Sequence, residues 1–263
     1  MIQIKNAKEL DGMRRACAIS AAALKYGGEH IEPGMTTAEL DKLIYDFIVK
    51  HGAKPNFKGL YGFPGTACIS LNDTVIHGIP SHEIVIHPGD IISIDTGAKI
   101  DGFNGDNACT YACGKIDLEA QRLLDVTKES LHLGIAQAVA GNRIGDIGHA
   151  VQAYCEENGF SVVREFVGHG VGKELHEDPE VPNYGTAGRG PRLVSGMTIA
   201  IEPMICEKDC KVKTLSDGWT VKTRDGGLAA HFEHSIAILK DRTEIMTRSW
   251  DDPNFDPDTF SFK

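Results

Sequence analysis

The stretch PGDIISIDT (88–96) returns 107 residues later as SGMTIAIEP (195–203), and the same offset lays Gly34 on Gly141 and Gly52 on Gly159. The order of elements repeats around these anchors. Apolar periodicity predicts a helix over about 6–26 and a second from Thr36 or Thr37 to about Lys50. Thr36 with Glu39 gives a capping-box signal there, and Gly52 a stop. Helices over about 117–139 and 144–157 follow, and each pair of helices leads into strands. A repeat of this length is not a solenoid unit. It predicts one domain over 1–263, made of two fused halves, about 1–115 and about 116–263, related by an approximate twofold axis.

The overlay also aligns acids. Asp95 falls on Glu202, and downstream GDNACTYACG and FEHSIAILKD read as equivalent strands that pair Asp106 with Glu233 at an offset of 127. The second half therefore holds about 20 extra residues, placed near 206–226. Ile91, Ile92 and Ile94 mark the strand before Asp95 as buried. A buried carboxylate is costly unless compensated, and four gathered on one axis repel and are driven toward protonation. Two divalent cations would cancel that charge. The competing reading gives each acid a turn to cap or an Arg partner at a strand end.

Histidines add a nitrogen donor. GHGVGKELHEDP (168–179) sets His169 and His176 seven apart in a glycine-rich segment, a spacing unlike the HExxH helix. His77, in VIHGIP, follows an apolar run and precedes a turn, and is kept as a site candidate. His51, His82, His87, His132 and His149 read as ordinary polar residues. Cys109/Cys113 and Cys206/Cys210 have CxxxC spacing, but residues four apart on a strand do not converge on one ion, so they read as plain thiols.

Composition sets the outer limits. Hydrophobic residues at 41% and charged residues at 24% fit a soluble globular chain. No apolar run approaches a membrane span and MIQIKNAKELDGMRRA has no apolar signal core, so no membrane partner and a cytoplasmic location are expected. Seven cysteines, an odd number, argue for reduced thiols. A net charge of −10 argues against DNA as a partner.

Taken together, HGIP (77–80), DTGAKIDGFNGD (95–106), GHGVGKELHEDP (168–179), AIEPM (200–204) and DGWTVKTRDGGLAAHFEH (217–234) resemble the methionine aminopeptidases of peptidase family M24, in their short bacterial type I form. The resemblance covers nearly the whole chain. It implies an α+β pita-bread (creatinase/aminopeptidase) fold, with two pseudo-symmetric halves around an antiparallel sheet and helices on one face. It implies Asp95, Asp106, His169, Glu202 and Glu233 as ligands of two divalent ions (Mn2+, Fe2+ or Co2+, with Zn2+ as a further candidate). Four of these five are the acids that the duplication selects. His231 stands where the family commonly has Gln, and Ala229 where it has Ser. The N-terminal zinc-finger extension and the type II insertion are not expected.

The implied activity is removal of the initiator methionine from nascent polypeptides whose second residue is small, by water activated at two metal ions, in a monomeric enzyme. Glu202 is implied as general acid/base, His176 as the group that stabilises the tetrahedral intermediate, and His77 as a contact to the substrate backbone. Phe57, Leu60, Phe63, Cys68 and Trp219 are implied to line the methionine slot. Apart from the resemblance, Lys208, Lys211, Lys213, Lys222 and Arg224 reverse the local charge over 208–224, which suggests docking on ribosomal RNA phosphates, against a merely solvated hairpin. The rival functions are another pita-bread peptidase, cleaving Xaa-Pro bonds or dipeptides, and a binding protein that has lost the chemistry.

Overall fold

The computed structural model describes residues 1–261. Two helix pairs carry the repeat: α1 (Ala7–Glu29) with α2 (Thr37–Lys50), and α3 (Leu118–Gln137) with α4 (Ile144–Glu157). Both ends of α2 and α4 lie 107 residues apart. The Thr36–Glu39 capping box forms as expected, and Asn6 with Glu9 makes another at the start of α1. α1 runs three residues beyond the expected stop, through Gly27 and Gly28. A Cβ at these positions would sit 2.8 Å from Ile44 and 2.1 Å from Tyr111, so the pair permits close packing rather than ending the helix.

The repeat extends to single hydrogen bonds. Gly34 N–H donates to the Ile86 carbonyl at 2.8 Å, and Gly141 N–H to the Leu193 carbonyl at 2.9 Å; Ile86 N–H to Met35 and Leu193 N–H to Asn142 are both 2.8 Å. The isolated bridges Thr36–Val85 and Arg143–Arg192 correspond in the same way. Gly34 (φ +92°) and Gly141 (φ +103°) both hold the left-handed turn that admits glycine with least strain.

In the first half, strand Ile91–Ile100 runs antiparallel between Ala67–Leu71 and Phe103–Ala112. In the second, Thr198–Ile201 runs between Gly168–Gly170 and His234–Ile238. The register corrects one detail of the sequence overlay. Ile94 faces Cys109 and Ile201 faces His234, so the later strands are offset by 125 residues (234 less 109) rather than 127. Glu233 is thus equivalent to Ala108, two residues from Asp106. A shift of two keeps the strand face, so both acids still reach the same side. The extra residues of the second half form the hairpin Val212–Thr214/Val221–Thr223, which pairs with Thr74–Ile76.

The halves are stitched together at their central strands. Glu233 N–H donates to the Ala108 carbonyl at 2.8 Å, Ser235 Oγ to the Asp106 carbonyl at 2.7 Å, and His231 N–H to Thr110 Oγ1 at 2.9 Å. α1 lies directly on the Phe103–Ala112 strand, where a Cβ on Gly105 would meet the Ala16 backbone at 2.6 Å. A single apolar cluster includes Ile19, Ile44 and Ile94 from the first half with Leu123, Ile147 and Ile201 from the second.

Candidate metal centre and cleft

Asp95 pairs with Ala108 across the ladder and Asp106 with Gly97, so the two acids are diagonal neighbours on one sheet face. Glu202 directly follows strand Thr198–Ile201 and Glu233 directly precedes His234–Ile238, at the end where Ile201 faces His234. All four acids line one cleft of about 500 Å³ with His169, His176 and His77. His169 Nδ1–H donates to the Gly170 carbonyl at 2.9 Å, which leaves the Nε2 lone pair aimed inward. That Nε2 lies 3.6 Å from Asp106 Oδ2 and 3.5 Å from Glu202 Oε1. Donor atoms of Asp106, His169 and Glu233 all fall within 4.8 Å of one another.

The electrostatics are those of a site built for cations. Burial, then the neighbouring acids, holds Asp106 and Glu233 well above the usual carboxylate range, and burial does the same to Asp95 and Glu202. Burial lowers His169 to about 4, so its imidazole is neutral and able to ligate at physiological pH. Asp95 Oδ1, Asp106 Oδ1 and Glu233 Oε1 are buried without a hydrogen-bond partner. Carboxylate oxygens left without a donor in a dry site are costly unless a proton or a cation meets them. Four carboxylates and one imidazole therefore fit divalent metal, and fit hard or borderline ions best.

The apolar wall follows from the same ladders. Cys68 faces Asp95 across the sheet, which sets it at the edge of the acid cluster. Phe57, Phe63, Cys68 and Leu175 form a buried apolar group, with Leu60 and Trp219 packed against it. The inserted hairpin pairs Val221 with Ile76 and so brings Trp219 to the cleft, its ring 5.1 Å from Phe63 and 6.1 Å from His77. His77 itself has φ +57°, an uncommon backbone state for a residue with a side chain. His176 stands exposed at the mouth, its ring 4.5 Å from that of His169.

All twelve residues expected at the site from the sequence line this one cleft. The sequence reading missed Tyr61, Phe166 and Leu175, which also line it. Tyr61 (φ +49°) stacks on His176 at 6.2 Å, and Phe166 meets the His77 ring edge-on at 5.7 Å. The signal for Tyr61 was its place between Gly59 and Gly62, a segment forced into left-handed turns. His231 is buried, with Nε2 3.6 Å from Glu202 Oε2 and no hydrogen-bond partner. It therefore faces the acid cluster directly.

Comparison with known proteins gives a consistent picture. Residues 11–240 match the profile of metallopeptidase family M24. The chain is 54% identical over 247 residues to the methionine aminopeptidase of Clostridium acetobutylicum, covering 94% of this chain and 99% of that one. It superposes on the crystal structure of methionine aminopeptidase from Thermotoga maritima with a TM-score of 0.92 at 45% identity, covering 94% and 99% of the two chains. Against the prolidase of Pyrococcus horikoshii the TM-score is 0.72 at 25% identity, covering 93% of this chain but 63% of the prolidase.

Proposed function

The chain belongs to metallopeptidase family M24, and from that premise we propose that it is a methionyl aminopeptidase, removing N-terminal methionine from nascent polypeptides whose second residue is small. The observation that carries this reading is one cleft in which four buried acids and His169 adjoin an apolar wall of Phe57, Phe63, Cys68 and Trp219. Similarity favours it over an Xaa-Pro peptidase, because identity is 54% to a methionine aminopeptidase but 25% to the prolidase. The retention of every expected donor speaks against a silent binding protein. The whole chain is read as one catalytic domain of two halves.

Asp95, Asp106, His169, Glu202 and Glu233 would hold two divalent ions, with Mn2+, Fe2+ or Co2+ preferred over Zn2+ by so oxygen-rich a set. Bound there, the ions supply Lewis acidity toward the scissile carbonyl and lower the pKa of water. The chain's own residues do the rest. Glu202 accepts the proton that the attacking water loses and passes it to the amine nitrogen as the C–N bond breaks. His176 donates a hydrogen bond to the oxygen that gains charge, and His77 orients the substrate backbone. Phe57, Leu60, Phe63, Cys68 and Trp219 take the methionine side chain and exclude water from it.

Initial-rate release of methionine from Met-Ala-Ser and Met-Pro peptides tests this, after chelation and stepwise return of Mn2+, Fe2+, Co2+ or Zn2+. Metal-dependent release is expected, and none with any ion from folded protein would sink the proposal. Six of the seven cysteines are buried thiols and none is paired, which supports a reducing, cytoplasmic setting. No helix among the described residues is long and apolar enough to cross a membrane. The enzyme is read as a monomer.

The inserted hairpin is read as the ribosome-facing element. Lys208, Lys211, Lys213 and Arg224 are exposed on it, while Lys222 is tied to Asp73 at 2.8 Å. Reversing Lys208, Lys211 and Lys213 to Glu should weaken ribosome co-sedimentation at low salt by roughly tenfold, in line with lost phosphate contacts. Unchanged sedimentation would end this idea without touching the peptidase.

A further inference from the structure

A second cluster of metal-ligating side chains lies behind the cleft wall. Glu233 faces the cleft, while the next residue, His234, is packed among His132 of α3, Trp250 and Asp251. His132 Nε2 lies 3.0 Å from Asp251 Oδ2, and His234 Nε2 lies 3.9 Å from the same oxygen. Donor atoms of all three residues fall within 4.8 Å of one another. Lys128, one helical turn before His132, pairs with the other oxygen of Asp251 and holds the carboxylate in orientation.

His234 supplies a second, independent observation. It is fully buried, and its Nε2 has no hydrogen-bond partner. Its Nδ1 lies 2.8 Å from Thr247 Oγ1, which also accepts the Ser235 N–H at 3.2 Å. If Nδ1 carries the proton, the Nε2 lone pair faces an anionic oxygen, which is repulsive. If Nε2 carries it, 3.9 Å is too long for a hydrogen bond. A cation between the three donors resolves both cases. The Trp250 ring stacks on His234 at 4.4 Å and closes the inner side, whereas His132 remains one-third exposed and gives access from solvent.

We propose that His132, His234 and Asp251 bind one imidazole-preferring divalent ion, of which Zn2+ is the type, at a site distinct from the carboxylate cluster. Two imidazoles and one carboxylate leave coordination positions for water and select softer ions than the oxygen-rich cleft does. The Thr247 hydroxyl is the partner that fixes the His234 tautomer. The ion joins α3, the His234–Ile238 strand and the Arg248–Asp251 turn. Trp250 in that turn donates its indole N–H to the Glu233 carbonyl at 3.1 Å, so the bound ion also steadies the backbone beside the cleft.

The inference does not rest on the aminopeptidase reading, and its test leaves activity aside. Full-length chain carrying Asp106→Asn and Glu202→Gln, which disable the cleft, is dialysed against micromolar Zn2+ and analysed for bound metal, with and without His132→Ala. About one Zn2+ per chain is expected, with affinity falling at least about tenfold on the added substitution. Cu2+ used as a probe should show coupling to two nitrogen nuclei in its electron paramagnetic resonance spectrum, and to one after His132→Ala. No retained metal, or retention and coupling indifferent to His132, overturns the proposal. Circular dichroism and melting in chelator confirm that the variants fold; should His132→Ala fail to fold, His132→Gln takes its place.

Discussion

Glu202→Gln is expected to lower kcat for methionine release by at least about 10²- to 10⁴-fold, the range a positioned acid/base contributes. The substitution is nearly isosteric, so the cleft keeps its shape. It removes both the proton acceptor and one negative charge from a site whose remaining donors are three acids and an imidazole. Glu202 Oε1 is 3.5 Å from His169 and Oε2 3.6 Å from His231, so its loss should also weaken metal binding. His176→Ala makes the informative contrast. His176 stands at the mouth, outside the donor set, and its removal should lower kcat strongly while leaving Mn2+ affinity intact. Initial rates at saturating Mn2+, together with calorimetric titration of Mn2+ into both variants, separate the two roles. Near-normal kcat in Glu202→Gln would remove it as the base, and equal loss of metal in His176→Ala would recast that histidine as a ligand.

The duplication makes much of this site legible in the sequence alone. Internal repeats fix equivalent positions, and buried isoleucines beside Asp95 and Glu202 mark both acids as costly in a way single motifs do not. The overlay went astray by two residues at Glu233, because short apolar strands align almost as well in neighbouring registers of the same face; only the ladder pairing of Ile201 with His234 decides. Helix α1 runs past its expected end near residue 26 for a related reason: Ile44 and Tyr111 occupy the space where side chains on Gly27 and Gly28 would be, a packing that periodicity does not show. His132 read as an unremarkable helix residue, and nothing local contradicts that. Its meaning depends on Asp251 and His234, more than a hundred residues away, and no spacing rule links a helix to a late turn. Tyr61 and Phe166 are similar: their loops become a cleft wall only when the two halves close on each other.

Stripped of metal, the protein should lose stability as pH rises from 6.5 to 8, and divalent metal should restore more at pH 8 than at 6.5. Burial raises Asp95 to about 7 and Glu202 to about 8 in the fold, and holds Asp106 and Glu233 higher than the usual range, whereas unfolded carboxylates titrate near 4. The folded state therefore binds more protons across this window, and stability falls as pH climbs through the folded values. The buried histidines act oppositely: His77, His169 and His234 are lowered to about 4, so their contribution rises with pH. That contribution is largely complete by pH 6.5, where unfolded histidines also become neutral, which leaves the carboxylates in control above it. Each acid that stays protonated only in the fold costs up to about 1.4 kcal/mol per pH unit, so the combined loss over this range should be on the order of several kcal/mol, with a ceiling of about 8 for four acids. Metal at about 100 times its Kd returns about 2.7 kcal/mol, or roughly 5–10 °C in Tm for a chain of this size. Because the ion must displace these protons to bind, the gain should be larger at pH 8 than at 6.5. Thermal melts in chelator and in excess Mn2+ at the two pH values measure all four terms, with His132→Ala as background to isolate the cleft. A chelated protein more stable at pH 8, or a metal-induced rise in Tm indifferent to pH, would mean that the four acids are not held protonated in the fold and that their burial is compensated by something other than the ions.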